Sequence, residues 1–199
     1  MIEFRTIDTS DPYIKFKEIY DNAVLKNQKN IEAIVISSFN SIQNEVESRF
    51  VNLKYIHKND WIFFSNYNSP KANNFKENKQ ISALFYWNTV NVQIRMKAHI
   101  RKTSSEVSDE HFLNRDFKKN ALAIISEQSQ KISSYEEVLK RYQSIITKKN
   151  DLSKRPKFWG GFSFTPYYFE FWEGNENRIN KREVFEFKNE EWLDYIIQP

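Results

Sequence analysis

Between Val92 and Arg101 apolar and polar residues alternate without a break: Val92, Ile94, Met96, Ala98 and Ile100 against Gln93, Arg95, Lys97, His99 and Arg101. Successive side chains of a strand point to opposite faces, so this pattern predicts a strand with one face on a core. The other face meets solvent or a partner. It is the cleanest period-two stretch of the chain.

The segments around it sort by the same logic. Asp11-Pro12 reads as a helix start, with Asp11 as N-cap and Pro12 in the first turn, and Phe16, Ile19, Tyr20, Ala23 and Val24 follow at helical spacing. Residues 31–39, 49–57, 61–65 and 81–87 read as strands, with Asn40-Ser41 as a turn and a short helix from Ser69-Pro70 to about Asn78. Residues 105–149 switch to helical spacing, in about three helices. Strands return over 159–171, 183–187 and 192–197. Strands, a helical insertion, then strands again predict an α+β fold around an antiparallel barrel. The expected organisation is one domain over 1–199, with an N-terminal helix within 1–30, an insertion at 105–149 and a C-terminal block at 158–199. Trp61 and Trp192 are expected in the core or an interface.

Composition narrows the function. The net charge is +4 with a pI near 9.0, and lysines are mixed with acids along the chain. That is poor support for nucleic acid as a partner and better support for a local anion site. Cysteine is absent, which excludes disulfides and thiolate metal sites, and His57, His99 and His111 show no metal-ligand spacing. No membrane-length apolar run occurs and the N-terminus lacks a signal-peptide pattern, so a soluble cytoplasmic protein without a bound metal is expected.

All three glycines fall in one block, Phe158-Trp159-Gly160-Gly161-Phe162 followed by Phe169-Glu170-Phe171-Trp172-Glu173-Gly174, with Arg178 and Arg182 just beyond. Glycine so concentrated points to backbone pressed close to something or turned sharply. Aromatic surface beside guanidinium groups suits a flat, anionic, partly aromatic ligand. A buried aromatic strand pair joined by an Arg-containing turn is the other reading.

This block resembles the C-terminal signature of the pyridoxamine/pyridoxine 5'-phosphate oxidases, dimeric FMN enzymes built on a split β-barrel. Arg49-Phe50-Val51-Asn52-Leu53-Lys54 resembles the family's R-x-V-x-L-K strand, and Phe63-Phe64-Ser65-Asn66-Tyr67-Asn68-Ser69-Pro70-Lys71 its F-[YF]-[TS]-N-x-x-S-R-K segment. The family's arginine is here Pro70, which removes one guanidinium and one N–H donor. Gln93 and Gln128-Ser129 stand where glutamine and Q-S meet the flavin. The resemblance implies FMN contacts from Arg49, Phe50, Val51, Asn52, Phe64, Ser65, Lys71, Gln93, Gln128, Ser129, Trp172 and Arg182. It implies substrate contacts from Lys54, His111, Arg115, Lys119, Arg178 and Asn180, the last two beside the reacting ring. His111, Lys119 and Asn180 replace the family's usual Tyr, Ser and His, and the N-terminal arm has no clear match. Arg49 and Lys54 are an odd number of positions apart, so a strand would aim them oppositely unless a bulge intervenes. Taken without the resemblance, His111 is a solvated surface histidine, and Arg115 and Lys119 an ordinary solvated helix face.

The activity implied is FMN-dependent oxidation of pyridoxamine or pyridoxine 5'-phosphate to pyridoxal 5'-phosphate in a homodimer, with oxygen as acceptor and hydrogen peroxide as product. The alternatives are a flavoprotein of the same fold with a changed substrate, and a non-catalytic FMN- or pyridoxal-phosphate-binding protein.

Overall fold

The computed structural model describes residues 1–147 and 152–199. In chain order the elements are β1 (Glu3–Ile7), α1 (Asp11–Leu25), β2 (Ala33–Asn40), β3 (Glu45–Lys58), β4 (Asp60–Asn66), α2 (Pro70–Glu77) and β5 (Gln80–Trp87). There follow β6 (Val92–Lys102), α3 (Ser105–Asn114), α4 (Phe117–Ile125), α5 (Tyr135–Thr147), β7 (Trp159–Glu173), β8 (Lys181–Lys188) and β9 (Glu191–Ile196). The expected insertion runs to Lys149, which lies outside the described residues.

The fold is mixed α and β, and its strands close on themselves. β2 pairs with β3 and β5, β5 with β6, β6 with β7, β7 with β4 and β4 with β3, all antiparallel. The result is a ring of six strands. β8 and β9 extend the sheet outward from β7, and β1 joins β3 by parallel pairing.

β6 behaves as its alternation demands: Val92, Ile94, Met96, Ala98 and Ile100 are buried inside the ring. Its partner β7 carries a register shift between Lys97 and Ala98, opposite Pro166. Proline has no N–H for the ladder, and a bulge is a place where a long strand tolerates it. α1 lays Tyr13, Phe16 and Tyr20 against the aromatic core. The Phe16 ring meets Trp61 edge-on at 4.4 Å, with Phe85 and Trp87 at 5.8 and 5.6 Å. Truncating so buried a ring costs about 3–5 kcal/mol.

Several expectations shift. The N-cap of α1 is Ser10 rather than Asp11, because Asp8 accepts the Ser10 N–H at 2.8 Å and fixes the chain one residue earlier. β1 was not foreseen. The glycines answer to close approach and not to turning, since none has a positive φ. A Cβ on Gly160 would meet the Tyr67 hydroxyl, and one on Gly161 would meet the Thr103 methyl. What presses on the β7 backbone is therefore protein.

Candidate functional site

A cleft of about 710 Å³ opens where β3, β4, the start of α2, α3 and the loop after α4 converge. β3 supplies Glu47 to Asn52 and Lys54 to its wall. The pairing of β3 with β4 skips a residue, Leu53 lying opposite Phe63 and Tyr55 opposite Ile62. That bulge at Lys54 resolves the parity problem. One strand delivers both Arg49 and Lys54 to one cleft.

At one end the start of α2 brings Lys71 to Arg49 of β3. Ser69, the N-cap, does not cap with its side chain; its hydroxyl donates to the Asn66 carbonyl at 2.8 Å and accepts from Lys71 Nζ at 3.1 Å. Lys71 is only 6% exposed, and among the described residues no carboxylate lies within ion-pair distance of it. Burial, with Arg49 close by, pushes its ammonium down to about 8. Such an amine is poised for an anion. Arg49 donates through Nη1 to Ser38 Oγ at 2.7 Å and to the Ile36 carbonyl at 3.2 Å, and through Nη2 to Glu47 Oε2 at 2.8 Å.

Gln128 closes this end. Its Oε1 accepts from Ser65 Oγ at 3.2 Å and from the Asn66 N–H at 3.3 Å. Ser129 next to it sits in the left-handed region, φ 70°. A non-glycine residue there costs on the order of 1–3 kcal/mol.

The far end is aromatic and basic. The rings of His111 and Phe64 stack at 3.7 Å, with the parallel Trp159 ring 5.5 Å from Phe64. The Arg115 guanidinium lies 4.9 Å over Trp159. His111 Nδ1 is 2.6 Å from the Tyr55 hydroxyl. Burial first, then the charges of Arg115, Lys54 and Arg5, push the imidazole down to about 4. The solvated reading of His111 is thereby corrected: it lies half-buried in an aromatic stack. Burial lowers Lys54 as well, against the opposing charge of Glu32 and with help from Lys119 and Arg115. Arg115 is lowered by burial too, so it is no free surface residue. A buried lysine with no carboxylate at hand among the described residues, a stacked wall and a second basic cluster together fit flat aromatic groups with an anion at each end of the cleft.

Of the residues singled out from sequence, Arg49, Phe50, Val51, Asn52, Lys54, Phe64, Ser65, Lys71, His111, Arg115, Gln128 and Ser129 line this cleft. Lys119 stands beside it on α4, its carbonyl accepting from Arg115 Nη1 at 3.1 Å. Gln93, Trp172, Arg178, Asn180 and Arg182 lie elsewhere. Gln93 faces Trp172 across β6 and β7, and Trp172 faces Arg182 across β7 and β8, so the three form one row. Arg182 is held by Glu170, whose Oε1 accepts from its Nε and Nη2 at 2.9 and 2.7 Å. Arg178 has φ 59°, and Asn180 Oδ1 accepts from the Asn175 N–H at 3.0 Å across the same turn.

Sequence reasoning missed Trp159 and Tyr55 as site residues, and Glu47 entirely. Trp159 lies within the glycine block, where an aromatic residue reads equally as core. Tyr55 was hidden by the bulge that breaks the alternation of β3, and Glu47 lies in the part of β3 preceding the strand expected from Arg49. Among the described residues no cluster of three His, Asp or Glu could hold a metal, and no helix is long and apolar enough to cross a membrane.

Comparison with known proteins places the chain in a family. The chain is 34% identical over 196 residues to a pyridoxine/pyridoxamine 5'-phosphate oxidase of Coxiella burnetii, covering 98% of this chain and 100% of that one. It is 37% identical over 170 residues to the protein of that name from Colwellia psychrerythraea, covering 84% and 77%. Among solved structures, PhzG of Burkholderia lata 383, in complex with tetrahydrophenazine-1-carboxylic acid, superposes with a TM-score of 0.90 at 22% identity, over 96% of this chain and 93% of that one. A pyridoxamine 5'-phosphate oxidase-related, FMN-binding protein of Nostoc punctiforme gives 0.76 at 11% identity, over 92% and 97%, and both likenesses concern the fold. The family model for pyridoxamine 5'-phosphate oxidase matches residues 25–149, and that for the pyridoxine 5'-phosphate oxidase C-terminal dimerisation region matches 159–199. With every cleft residue but Trp159 falling in the first match, and Trp159 and the Trp172–Arg182 pair in the second, the chain belongs to the pyridoxamine 5'-phosphate oxidase family.

Proposed function

We propose that this chain, a member of an oxidoreductase family with FMN as cofactor, oxidises pyridoxamine or pyridoxine 5'-phosphate to pyridoxal 5'-phosphate with oxygen as acceptor. The observation that carries the reading is Lys71: a buried cation with no carboxylate within ion-pair distance among the described residues, at one end of a cleft whose other end holds Lys54 and Arg115. Two anionic groups separated by a flat aromatic system match that spacing of charge. The chemistry that FMN supplies when bound is acceptance of hydride from the substrate's C4' carbon and delivery of the electrons to oxygen, which leaves as hydrogen peroxide.

The residues of this chain position and neutralise. Lys71, Arg49, Ser65, Gln128 and Ser129 hold the cofactor's phosphate end, and Phe50, Val51, Asn52 and Phe64 its flanks. Lys54, Arg115 and Lys119 take the substrate phosphate. Burial raises the Tyr55 phenol, which keeps its proton to give to His111 Nδ1. The imidazole proton then stays on Nε2, which leaves His111 a neutral donor. Phe64 and Trp159 exclude water from between the two ends. Catalysis of this kind rests on orientation.

Gln93, Trp172, Arg178, Asn180 and Arg182 complete the site across a homodimer, each protomer lending its row to its partner's cleft. The barrel of the fold is then the split kind, with the cofactor between subunits. The Asn180 contact to the Asn175 N–H favours a second reading, a changed substrate: its carbonyl oxygen is occupied within the turn. One experiment tests both. The purified protein should show a flavin spectrum, and pyridoxine 5'-phosphate should elicit peroxide. A yellow protein without peroxide selects the changed substrate.

A further inference from the structure

A carboxylate stands inside the cleft, at the end where the cations gather. Glu47 lines the wall two residues before Arg49 on the same face of β3. Its Oε2 accepts from Arg49 Nη2 and from Asn74 Nδ2, each at 2.8 Å. Asn74 also reaches Ser38 Oγ at 3.2 Å, which takes Arg49 Nη1 at 2.7 Å. The four side chains form a closed network that commits both terminal nitrogens of the guanidinium and pairs its charge with a carboxylate.

Resting on the flavin reading above, we propose that Glu47 is a specificity-determining residue of the cofactor end, which spends Arg49 internally and leaves Lys71 as its one uncompensated cation. A phosphate at that end meets a lysine of +1 and an ion pair of net zero. Arg49 still shapes the wall, but as one half of a dipole. Glu47 repels the same anion that Lys71 attracts, and at these separations a carboxylate acts over several ångströms of partly buried space. The consequence is a cleft that reads the isoalloxazine and ribityl parts of the flavin nearly as strongly as its phosphate.

The proposal has a numerical form. One charge-assisted phosphate contact is worth about ten- to a hundredfold in affinity. A cleft with a single uncompensated cation should therefore prefer FMN over riboflavin by less than about a hundredfold, and one with two free cations by more. Titration of the cofactor-free protein with each flavin, followed by quenching of flavin fluorescence, measures that ratio without any turnover. Glu47→Gln keeps an acceptor oxygen for Arg49 and Asn74 and removes only the charge. It should tighten FMN by roughly tenfold and leave riboflavin unchanged.

A wild-type ratio above about a hundredfold overturns the proposal, as does a Glu47→Gln protein that binds riboflavin normally and FMN no better. If the variant fails to fold and binds neither flavin, the wild-type ratio decides alone, on the same threshold. If the wild-type protein binds neither flavin, the cofactor reading falls and this proposal with it.

Discussion

The ring of His111 lies flat on the ring of Phe64, centroids 3.7 Å apart and planes 8° from parallel. α3 and β4 thus meet in a stacked pair at the cleft's basic end, which helps to bury the histidine.

Burial, reinforced by Arg115, Lys54 and Arg5, holds the His111 imidazole at about 4 in the folded protein, below the ordinary value near 6.5. A depressed base is neutral when folded and charged when unfolded at pH 5. Its contribution to stability is therefore complete above about 6.5 and is lost progressively as the pH falls towards 4. The ring retains some contact with solvent, so the loss should be about 1–2 kcal/mol and not the whole of the shift. Urea unfolding at pH 7 and pH 5 should show that loss in the wild type and not in His111→Gln. Equal losses in both proteins would mean that the ring titrates normally.

Lys71 gives the second expectation. With the ammonium buried and its neighbour Arg49 already paired, Lys71→Ala removes the one free cation at that end. FMN should bind about 1.5–3 kcal/mol more weakly and be lost on dialysis. Pro70→Arg, at the first turn of α2, should do the opposite by adding a guanidinium beside it. Identical FMN dissociation constants in the three proteins would sink the assignment of this end.

How far these residues could be read from sequence depends on what local order records. The alternation of β6 is a property of neighbouring residues, and it foretold Ile94, Met96 and Ala98 in the core without error. β1 escaped because an edge strand of five residues paired in parallel needs no alternation, and Glu3–Ile7 has none. The bulge at Lys54 is a fact about pairing with β4, which no property of β3 alone expresses. Motif order points to Arg49, Ser65, Lys71 and Gln128, although Gln128 lies 79 positions after Arg49 and only the fold brings them together. Glu47 has no motif. Its meaning lies in the network it forms with Arg49, Asn74 and Ser38, which closes only once β2, β3 and α2 have packed.

The division of the expected site into a cleft and a separate row makes a third expectation, about assembly. If each protomer completes its partner's site, Lys71→Ala and Arg178→Ala should each be inactive alone and complement when mixed. A mixed dimer then carries one intact site and one doubly altered site. Random pairing of equal amounts should restore about a quarter of wild-type activity. No recovery in a refolded mixture whose heterodimers are verified by mass would place both residues in the same protomer's site, or neither in any.

The turn between β7 and β8 carries the last expectation. Arg178 is held there at φ 59°, and the Asn175 N–H donates to Asn180 Oδ1 at 3.0 Å. Asparagine keeps a donor and an acceptor but has no protonation equilibrium in the working range, whereas a histidine at 180 would titrate near neutral pH. Asn180→His should therefore add a limb to the pH–rate profile at about 6–7, and raise kcat/KM for pyridoxine 5'-phosphate. The imidazole must also replace the contact to Asn175, so the gain depends on Nδ1 taking over as acceptor. Arg178→Ala should abolish most turnover in either background and leave the flavin bound, because the residue serves the substrate. Alanine keeps the same strained φ, so Arg178→Gly separates the two roles: it relieves the backbone and still lacks the guanidinium. Loss in both variants assigns the activity to the side chain. If Asn180→His leaves the profile unaltered and both Arg178 variants turn over normally, the turn does not read pyridoxine phosphates, and the changed-substrate reading takes its place.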